Sequence, residues 1–443
     1  MNIPSIVYHI FPDRFYKSGR NSFNVCNWNE KPTYKSYFGG NLSGIRAKLK
    51  YLADFGIETI YLNPIFASTS NHRYDTKNYY KIDPLLGDIY DFKKLLSAAH
   101  STSINLILDG VFNHCGTSFF AFRDLLKKNN NSIYKDWFIV KKFPIKIGKG
   151  FYQSWKDHEQ LVEYNFENKL LQRYLLDVAI FWTKKGIDGW RLDAPERIPI
   201  SFWKTFYKKI KYFNSDLKII GEIWTNANKY LDIFDGVTNY LFRKNVIDFV
   251  KGAITTKEFL KNFKDYYDAY PLNFLFTSWN ILSSHDTPRI YSVLEGDVEK
   301  IKLAITFQFV LPGSPVIYYG DEIGTPGDND PDCRRTFNWD KNNWNESIFY
   351  HYKNMIRIWK RTPALRYGDF EEIYHDSSIL IFSRSYENNK ILCLFVMKPK
   401  VRIKIRLPSF SVIFSTNFLS YNSDFLTLTY GSYILSLQDN LIL

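Results

Sequence analysis

The stretch Gly189-Trp190-Arg191-Leu192-Asp193 restricts the possible folds more than any other in this chain. Apolar Trp190 and Leu192 alternate with charged Arg191 and Asp193, the period of a strand with one apolar and one ionised face. A second stretch of the same kind, Lys218-Ile219-Ile220-Gly221-Glu222, also closes on a carboxylate. Between them, residues 199–213 carry a helical pattern. Strand, helix, strand, each strand ending in an ionised group, is the unit of a parallel (β/α)8 barrel whose working groups gather at its C-terminal face. Taken alone, an Arg-x-Asp pair is equally well a structural ion pair. The other strand ends have to decide.

The pattern continues along the chain. Strands are expected over 6–11, 57–62, 105–111, 189–193, 218–222, 236–241, 279–284 and 315–319, with helices over 42–55 and 91–100. Residues 113–165 break the alternation, with aromatics, a Lys/Asn-rich piece and no long periodic helix, and read as a domain inserted after the third strand. Beyond residue 365 the pattern becomes short alternating strands with turns at Asn388-Asn389 and Gly431, a small antiparallel β domain. The expected organisation is a TIM barrel from residues 1–112 and 166–364, an inserted domain at 113–165 and a C-terminal β domain at 365–443.

A length of 443 residues can bury such a barrel and a companion domain. The formal charge of +13 raises the question of nucleic acid, but Lys and Arg are scattered, with no run beyond pairs such as Lys184-Lys185. Nucleic-acid binding is therefore not expected. Cys26, Cys115, Cys333 and Cys393 are far apart, with no metal-ligand spacing. The first residues lack a basic and apolar leader and no stretch is long enough for a membrane span, so a soluble cytoplasmic protein is expected.

Five strand ends deliver polar groups: Asp109, Asn113 and His114 after the third strand, Arg191 and Asp193 at the fourth, Glu222 at the fifth, His285 and Asp286 after the seventh, and Tyr74 and Asp75 after the second. The chain lacks a serine nucleophile elbow, a phosphate loop and a dinucleotide fingerprint. Carboxylates paired without a metal cluster or phosphate cradle point to glycosyl transfer, one acting as acid and base and the other as nucleophile. Eighteen per cent aromatic residues suits the stacking of sugar rings. Asp109 is expected to brace the pocket and the Tyr318-Tyr319 pair to pack the barrel.

The segments DGVFNH (109–114), GWRLD (189–193), GEIW (221–224) and SSHDTPR (283–289), in this order, resemble the four signature regions of the α-amylase family of glycoside hydrolases. FGIETIYLNPIF (55–66), NHRYDTKNYYKIDPLLGD (71–88), PVIYYGDEIG (315–324) and GDNDPDCRRTFNWD (327–340) are most similar to its neopullulanase, cyclomaltodextrinase and maltogenic amylase branch. The resemblance spans residues 5–365. It implies Asp193 as nucleophile, Glu222 as general acid/base and Asp286 as the third carboxylate, binding sugar hydroxyls. It implies substrate contacts from Tyr74, His114, Arg191, His285, Trp224, Asp330 and Arg334, with Asp75 supporting the Tyr74 loop and Asp109 and Asn113 as structural support. The expected substrate is an α-1,4-linked glucan or maltooligosaccharide. Neopullulanase, cyclomaltodextrinase or α-glucosidase specificity is the alternative on the same fold, and a non-catalytic carbohydrate-binding or scaffold relative is the alternative of another class.

Three departures bear on that expectation. Branch members carry a β domain ahead of the barrel, used in dimerisation; here the first strand begins within ten residues of the start, so a monomer is expected. After the nucleophile the branch reads Val-Ala-Asn-Glu or Val-Pro-Asn-Glu, and this chain reads Ala194-Pro195-Glu196-Arg197. Relatives place calcium ligands in the loop after the first strand. Here residues 17–35 offer Asn21, Asn24, Asn27, Asn29 and a single acid, Glu30, among Lys17, Arg20, Lys31 and Lys35. Positive surroundings repel a divalent cation, so no cofactor and no tight calcium are expected in that loop; the alternative calcium site lies between the inserted domain and the barrel, with Asn113 as a ligand.

Overall fold

A computed structural model of the chain describes residues 4–19, 25–405, 407, 409–422 and 425–437. Eight parallel strands close into a barrel in sequence order: β1 (Val7–Ile10), β2 (Thr59–Leu62), β3 (Asn105–Gly110), β4 (Gly189–Leu192), β5 (Lys218–Gly221), β6 (Gly236–Asn239), β7 (Trp279–Ile281) and β8 (Ser314–Tyr318). Strand alternation sorts the apolar side chains into two clusters. Val7, Tyr61, Ile107, Ile220, Trp279, Ile281 and Val316 form one small cluster inside the barrel. Their neighbours Tyr8, Ile60, Leu106, Ile219 and Leu282 belong to the large cluster between the barrel and its helices. Asp109 follows Ile107 by two residues and Glu222 follows Ile220 by two. Both therefore continue the inward face of their strands at the C-terminal rim.

The strand assignments from sequence hold, with shifted ends. The sixth strand stops at Asn239, whose side chain accepts the N–H of Phe242 and opens the helix Tyr240–Val250, so Tyr240 is helical where a strand was expected. The expected helix over 42–55 is two, Leu42–Ala47 and Leu49–Phe55, interrupted at Lys48. The segment between β3 and the helix Lys169–Thr183 holds one regular helix, Phe120–Lys128, which sequence periodicity did not reveal, and a ribbon pairing His114–Gly116 with Leu161–Glu163. That ribbon returns the excursion to the rim of the barrel.

The last part of the chain forms β9 (Glu371–His375), β10 (Ile379–Tyr386), β11 (Asn389–Lys404), β12 (Phe410–Ser415), β13 (Leu419–Asn422) and β14 (Phe425–Leu437), an antiparallel sheet in the order β9-β10-β11-β14-β12, with β13 also on β14. Gly431 does not make a turn but sits inside β14, next to a register shift in the pairing of β11 with β14. Its φ of 143° and the approach of Thr416 leave no room for a Cβ. Phe395 of β11 stacks on Phe307 of a barrel helix with ring centroids 3.6 Å apart, joining the sheet to the barrel core. Among the described residues no helix is long and apolar enough to cross a membrane.

Tyr318 packs between His9, Tyr319 and Arg289, as barrel packing requires. Just beyond β8, Glu322 is fully buried, accepting hydroxyls of Tyr8 and Tyr51 and the N–H of Gly320. Burial pushes its carboxyl up to about 7, against the donors that pull it down. The folded chain thus binds this proton more tightly than the unfolded one, and stability falls as pH rises from about 4.5 to 7. Glu322→Gln should remove that slope, a difference on the order of 3 kcal/mol across the window. Urea midpoints at pH 4.5, 5.5 and 7 for both proteins would show it; parallel curves would refute it.

Candidate active site

At the C-terminal rim the ion pair expected within β4 is part of something larger. Arg191, almost wholly buried, places Nη1 3.0 Å from Asp193 Oδ1 and 3.0 Å from Asp109 Oδ1, and Nη2 3.0 Å from Glu222 Oε1. Sequence reasoning gave Arg191 to Asp193 alone; the structure divides it among the ends of β3, β4 and β5. Asp109 also accepts the hydroxyls of Tyr61 at 2.6 Å and Tyr74 at 2.8 Å, which makes it a brace inside the barrel. Glu222 is held from three sides: by Arg191, by the Trp224 indole N–H at 3.1 Å and by the backbone N–H of Ala194 at 3.0 Å. Burial first and the neighbouring Glu222 second push the Asp193 carboxyl well above the ordinary carboxylate range, while Arg191 pulls it down.

The third carboxylate is built differently. Asp286 lies 2.9 Å from His285 Nε2 and 3.2 Å from Arg334 Nη2, and its side chain is a third exposed. Burial raises its carboxyl, but His285 and Arg334 outweigh burial and hold it below the usual range. Arg334 also pairs with Asp330 at 2.9 Å and donates from Nε to the His285 carbonyl at 2.8 Å, pinning the turn that carries the acid. Tyr74 ties the halves together: its hydroxyl meets Asp109, His285 Nε2 at 2.6 Å and the amide of Asn63 at 3.0 Å. Asp75 accepts the backbone N–H and hydroxyl groups of Thr69 and Ser70, closing the Tyr74 loop.

Asp193, Glu222, Asp286, Tyr74, Asp75, His114, Trp224, Asp330 and Arg334 line one cleft of about 1080 Å³. Arg191, Asp109, His285 and Asn113 stand behind that wall rather than on it. His114 presents Nε2 without a protein partner, and burial pushes the ring down to about 3, so it is neutral at any working pH. His72 is likewise pushed down to about 4 by burial. Sequence reasoning missed the far wall, which the inserted segment supplies. Trp155 lies nearly parallel to His114 with ring centroids 6.0 Å apart, and the cationic ends of Lys156 and Arg197 sit 5.2 and 5.4 Å from its ring. No periodicity marks Trp155; only its place between two polar residues in a loop hints at exposure.

Among the described residues, no group of three or more His, Cys, Asp and Glu side chains is placed to hold a metal ion. Arg20, Asn21 and Asn24 of the loop after β1 lie outside the described residues. Of the rest, Asn27 Oδ1 accepts the Asn29 N–H at 3.2 Å and Lys31 lies 3.4 Å from Asp332. At the alternative position, the Asn113 amide stands 3.3 Å from His114 Nδ1.

A model of the α-amylase catalytic domain matches residues 9–368 of this chain. The chain belongs to the α-amylase family. It is a glycoside hydrolase built on that family's barrel. It is 42% identical to a cyclomaltodextrinase of Thermoanaerobacter pseudethanolicus over 395 residues, 87% of this chain and 69% of the relative. It is 39% identical to neopullulanase 2 of Thermoactinomyces vulgaris, over 87% of this chain and 68% of the relative. Among solved structures, cyclic α-maltosyl-(1→6)-maltose hydrolase from Arthrobacter globiformis superposes with a TM-score of 0.92 at 31% identity, covering 98% of this chain and 100% of that one. The debranching enzyme of Nostoc punctiforme gives 0.87 at 32%, covering 98% and 100%.

Two outcomes follow from this geometry. Arg191→Met leaves three buried carboxyl groups without their shared cation and should cost on the order of 3–5 kcal/mol at pH 7. Without the cation the folded state binds protons more tightly, so part of the loss returns as pH falls toward 5. Urea midpoints that drop equally at both pH values would contradict the shared-cation account. For the loop after β1, the thermal midpoint should agree within about a degree between EDTA and millimolar calcium, because too few acids are present to cancel the ion's charge; a rise of several degrees with calcium would reverse that expectation.

Proposed function

We propose that the chain is a retaining α-glucan hydrolase that cleaves α-1,4 bonds of maltooligosaccharides and starch, with transfer to a second sugar as a side reaction. The observation that carries the proposal is the Arg191 guanidinium, which holds Asp193 and Glu222 at one wall of the cleft. Two carboxyl groups held side by side can divide the reaction, one as proton donor and the other as nucleophile. With the proton on Glu222, its O–H bond breaks as an O–H bond forms on the glycosidic oxygen. The C1–O bond then breaks with its electron pair going to that oxygen, and an Asp193 oxygen bonds to C1. Water, losing a proton to Glu222, reverses the step and regenerates both groups.

Asp286, held below the usual range and partly open to the cleft, stays ionised and is suited to binding sugar hydroxyls next to a carbon that gains positive charge. His114, neutral and with a free ring nitrogen, offers a hydrogen bond in the same subsite. Arg334 and Asp330 extend the polar wall away from the acid, and Trp224 lies on the acid's side. The breadth of the cleft and the likeness to enzymes named for cyclic dextrins favour a second specificity, for cyclic maltooligosaccharides, on the same chemistry.

Products from maltoheptaose, starch, pullulan and β-cyclodextrin would rank the substrates, and starch or maltoheptaose should lead. Proton NMR of the first sugar released should show the α-anomer; a β-anomer would overturn the double-displacement route. Asp193→Asn should fold and lose several orders of magnitude in turnover. A variant retaining a tenth of wild-type activity would remove Asp193 as nucleophile.

A further inference from the structure

We infer that Tyr240 is a positioning residue for proton transfer to the glycosidic oxygen: it carries Trp224, and Trp224 aims the Glu222 carboxyl. The inference rests on the proposed acid role of Glu222. Tyr240 lies against Trp224 with ring centroids 3.5 Å apart and planes within 9°. This is the tightest ring contact at the site, between a tyrosine 6% exposed and a tryptophan 44% exposed that lines the cleft. One indole face is thereby taken up by Tyr240, and the indole N–H points to Glu222 Oε1 at 3.1 Å.

Without that support, a half-exposed tryptophan on the loop after β5 would sample several rotamers. A hydrogen bond from such a side chain would aim Glu222 only part of the time. Tyr240 is itself rigid. It opens the helix Tyr240–Val250 immediately after the Asn239 cap, belongs to the small apolar cluster inside the barrel, and its hydroxyl lies 3.5 Å from Ser284 Oγ. Ser284 Oγ accepts the backbone N–H of Asp286 at 3.2 Å, so the same tyrosine touches the turn carrying the third carboxylate. A hydroxyl contact of 3.5 Å is weak, so the ring rather than the hydroxyl is the working part.

A group that acts by aiming the acid matters only when the leaving group needs a proton. Four variants, Tyr240→Leu, Tyr240→Phe, Trp224→Phe and Glu222→Gln, are therefore compared with wild type on maltoheptaose and on α-maltosyl fluoride. Maltoheptaose requires protonation of the departing oxygen, whereas fluoride departs from C1 with the bonding pair and little help. Tyr240→Leu, which removes the stack, and Trp224→Phe, which keeps a ring but removes the N–H, should each lose roughly ten- to a hundredfold in kcat on maltoheptaose and less than about threefold on the fluoride. Tyr240→Phe should keep both rates. Equal losses on both substrates, wild-type rates in Tyr240→Leu, or a Tyr240→Phe as impaired as Tyr240→Leu would overturn the inference. If Tyr240→Leu fails to fold, Tyr240→Met, which also removes the ring stack, is read by the same ratio. The Glu222→Gln control separates the two levels: equal losses there remove the acid role and the inference with it, whereas a selective control beside an unselective Tyr240→Leu removes the inference alone.

Discussion

One buried guanidinium sets the terms for everything at the rim of this barrel. Arg191 brings Asp109, Asp193 and Glu222 together from three neighbouring strands. Three carboxylates around a single arginine leave an excess of negative charge in a place that water barely reaches, which is costly unless donors surround it. The structure provides them: Tyr61 and Tyr74 on Asp109, Trp224 and the Ala194 N–H on Glu222. Asp193 receives the least protein donation of the three. Among the described residues its one side-chain partner is Arg191, so it is the carboxyl least enclosed by donors. Asp109, by contrast, has every reason to stay where it is.

Most of this was legible because strand alternation is a strict code. Once residues 189–193 and 218–222 are read as strands, Asp193 and Glu222 must face the same way as Arg191, and a barrel must bring them to one rim. Asp109 follows by the same argument applied to β3, whereas His285 and Asp286 lie in the turn beyond β7. The code fails where the backbone leaves the sheet. Asn239 ends β6 by capping a helix, so Tyr240 was misread as strand, and its stack on Trp224 could not be foreseen. Trp155 sits in a loop with positive φ at Lys156 and Asp157, and no repeating pattern places such a residue on any face. The division of Arg191 among three acids was also invisible, because sequence separation says nothing about distance across strands.

The two sides of the cleft consequently differ in kind. The wall with Asp193, Glu222 and Asp286 is carried by strand ends and pinned by buried ion pairs, so its groups are held within narrow limits. The facing wall comes from the inserted segment, and the cations on Trp155 there are exposed. Exposed cation–π contacts contribute only about 0.5–1 kcal/mol each, little enough for a sugar chain to displace. The barrel therefore holds its carboxyl groups rigidly, while the inserted segment presents a wall that can adjust. The charged Glu196-Arg197 in place of the branch's Asn-Glu lies in the turn after β4, where Arg197 reaches across to the Trp155 ring.

Ala194 shows how closely the rigid wall is drawn. Its φ of 44° and ψ of 46° are left-handed, a region that costs a residue with a Cβ about 1 kcal/mol or more, and glycine would avoid that cost. The turn nevertheless has a definite product: it directs the Ala194 N–H to Glu222 Oε2, one residue after Asp193. An extended backbone at this point would point the N–H elsewhere and carry Pro195 away from Trp203, whose indole donates to the Pro195 carbonyl at 3.0 Å. Glycine would reach the same turn but would also populate others, exchanging strain for disorder at the residue between Asp193 and the loop. A methyl group that costs stability while narrowing the backbone to one conformation is consistent with a site where the distance between two carboxyl groups matters more than the last kcal/mol of folding free energy.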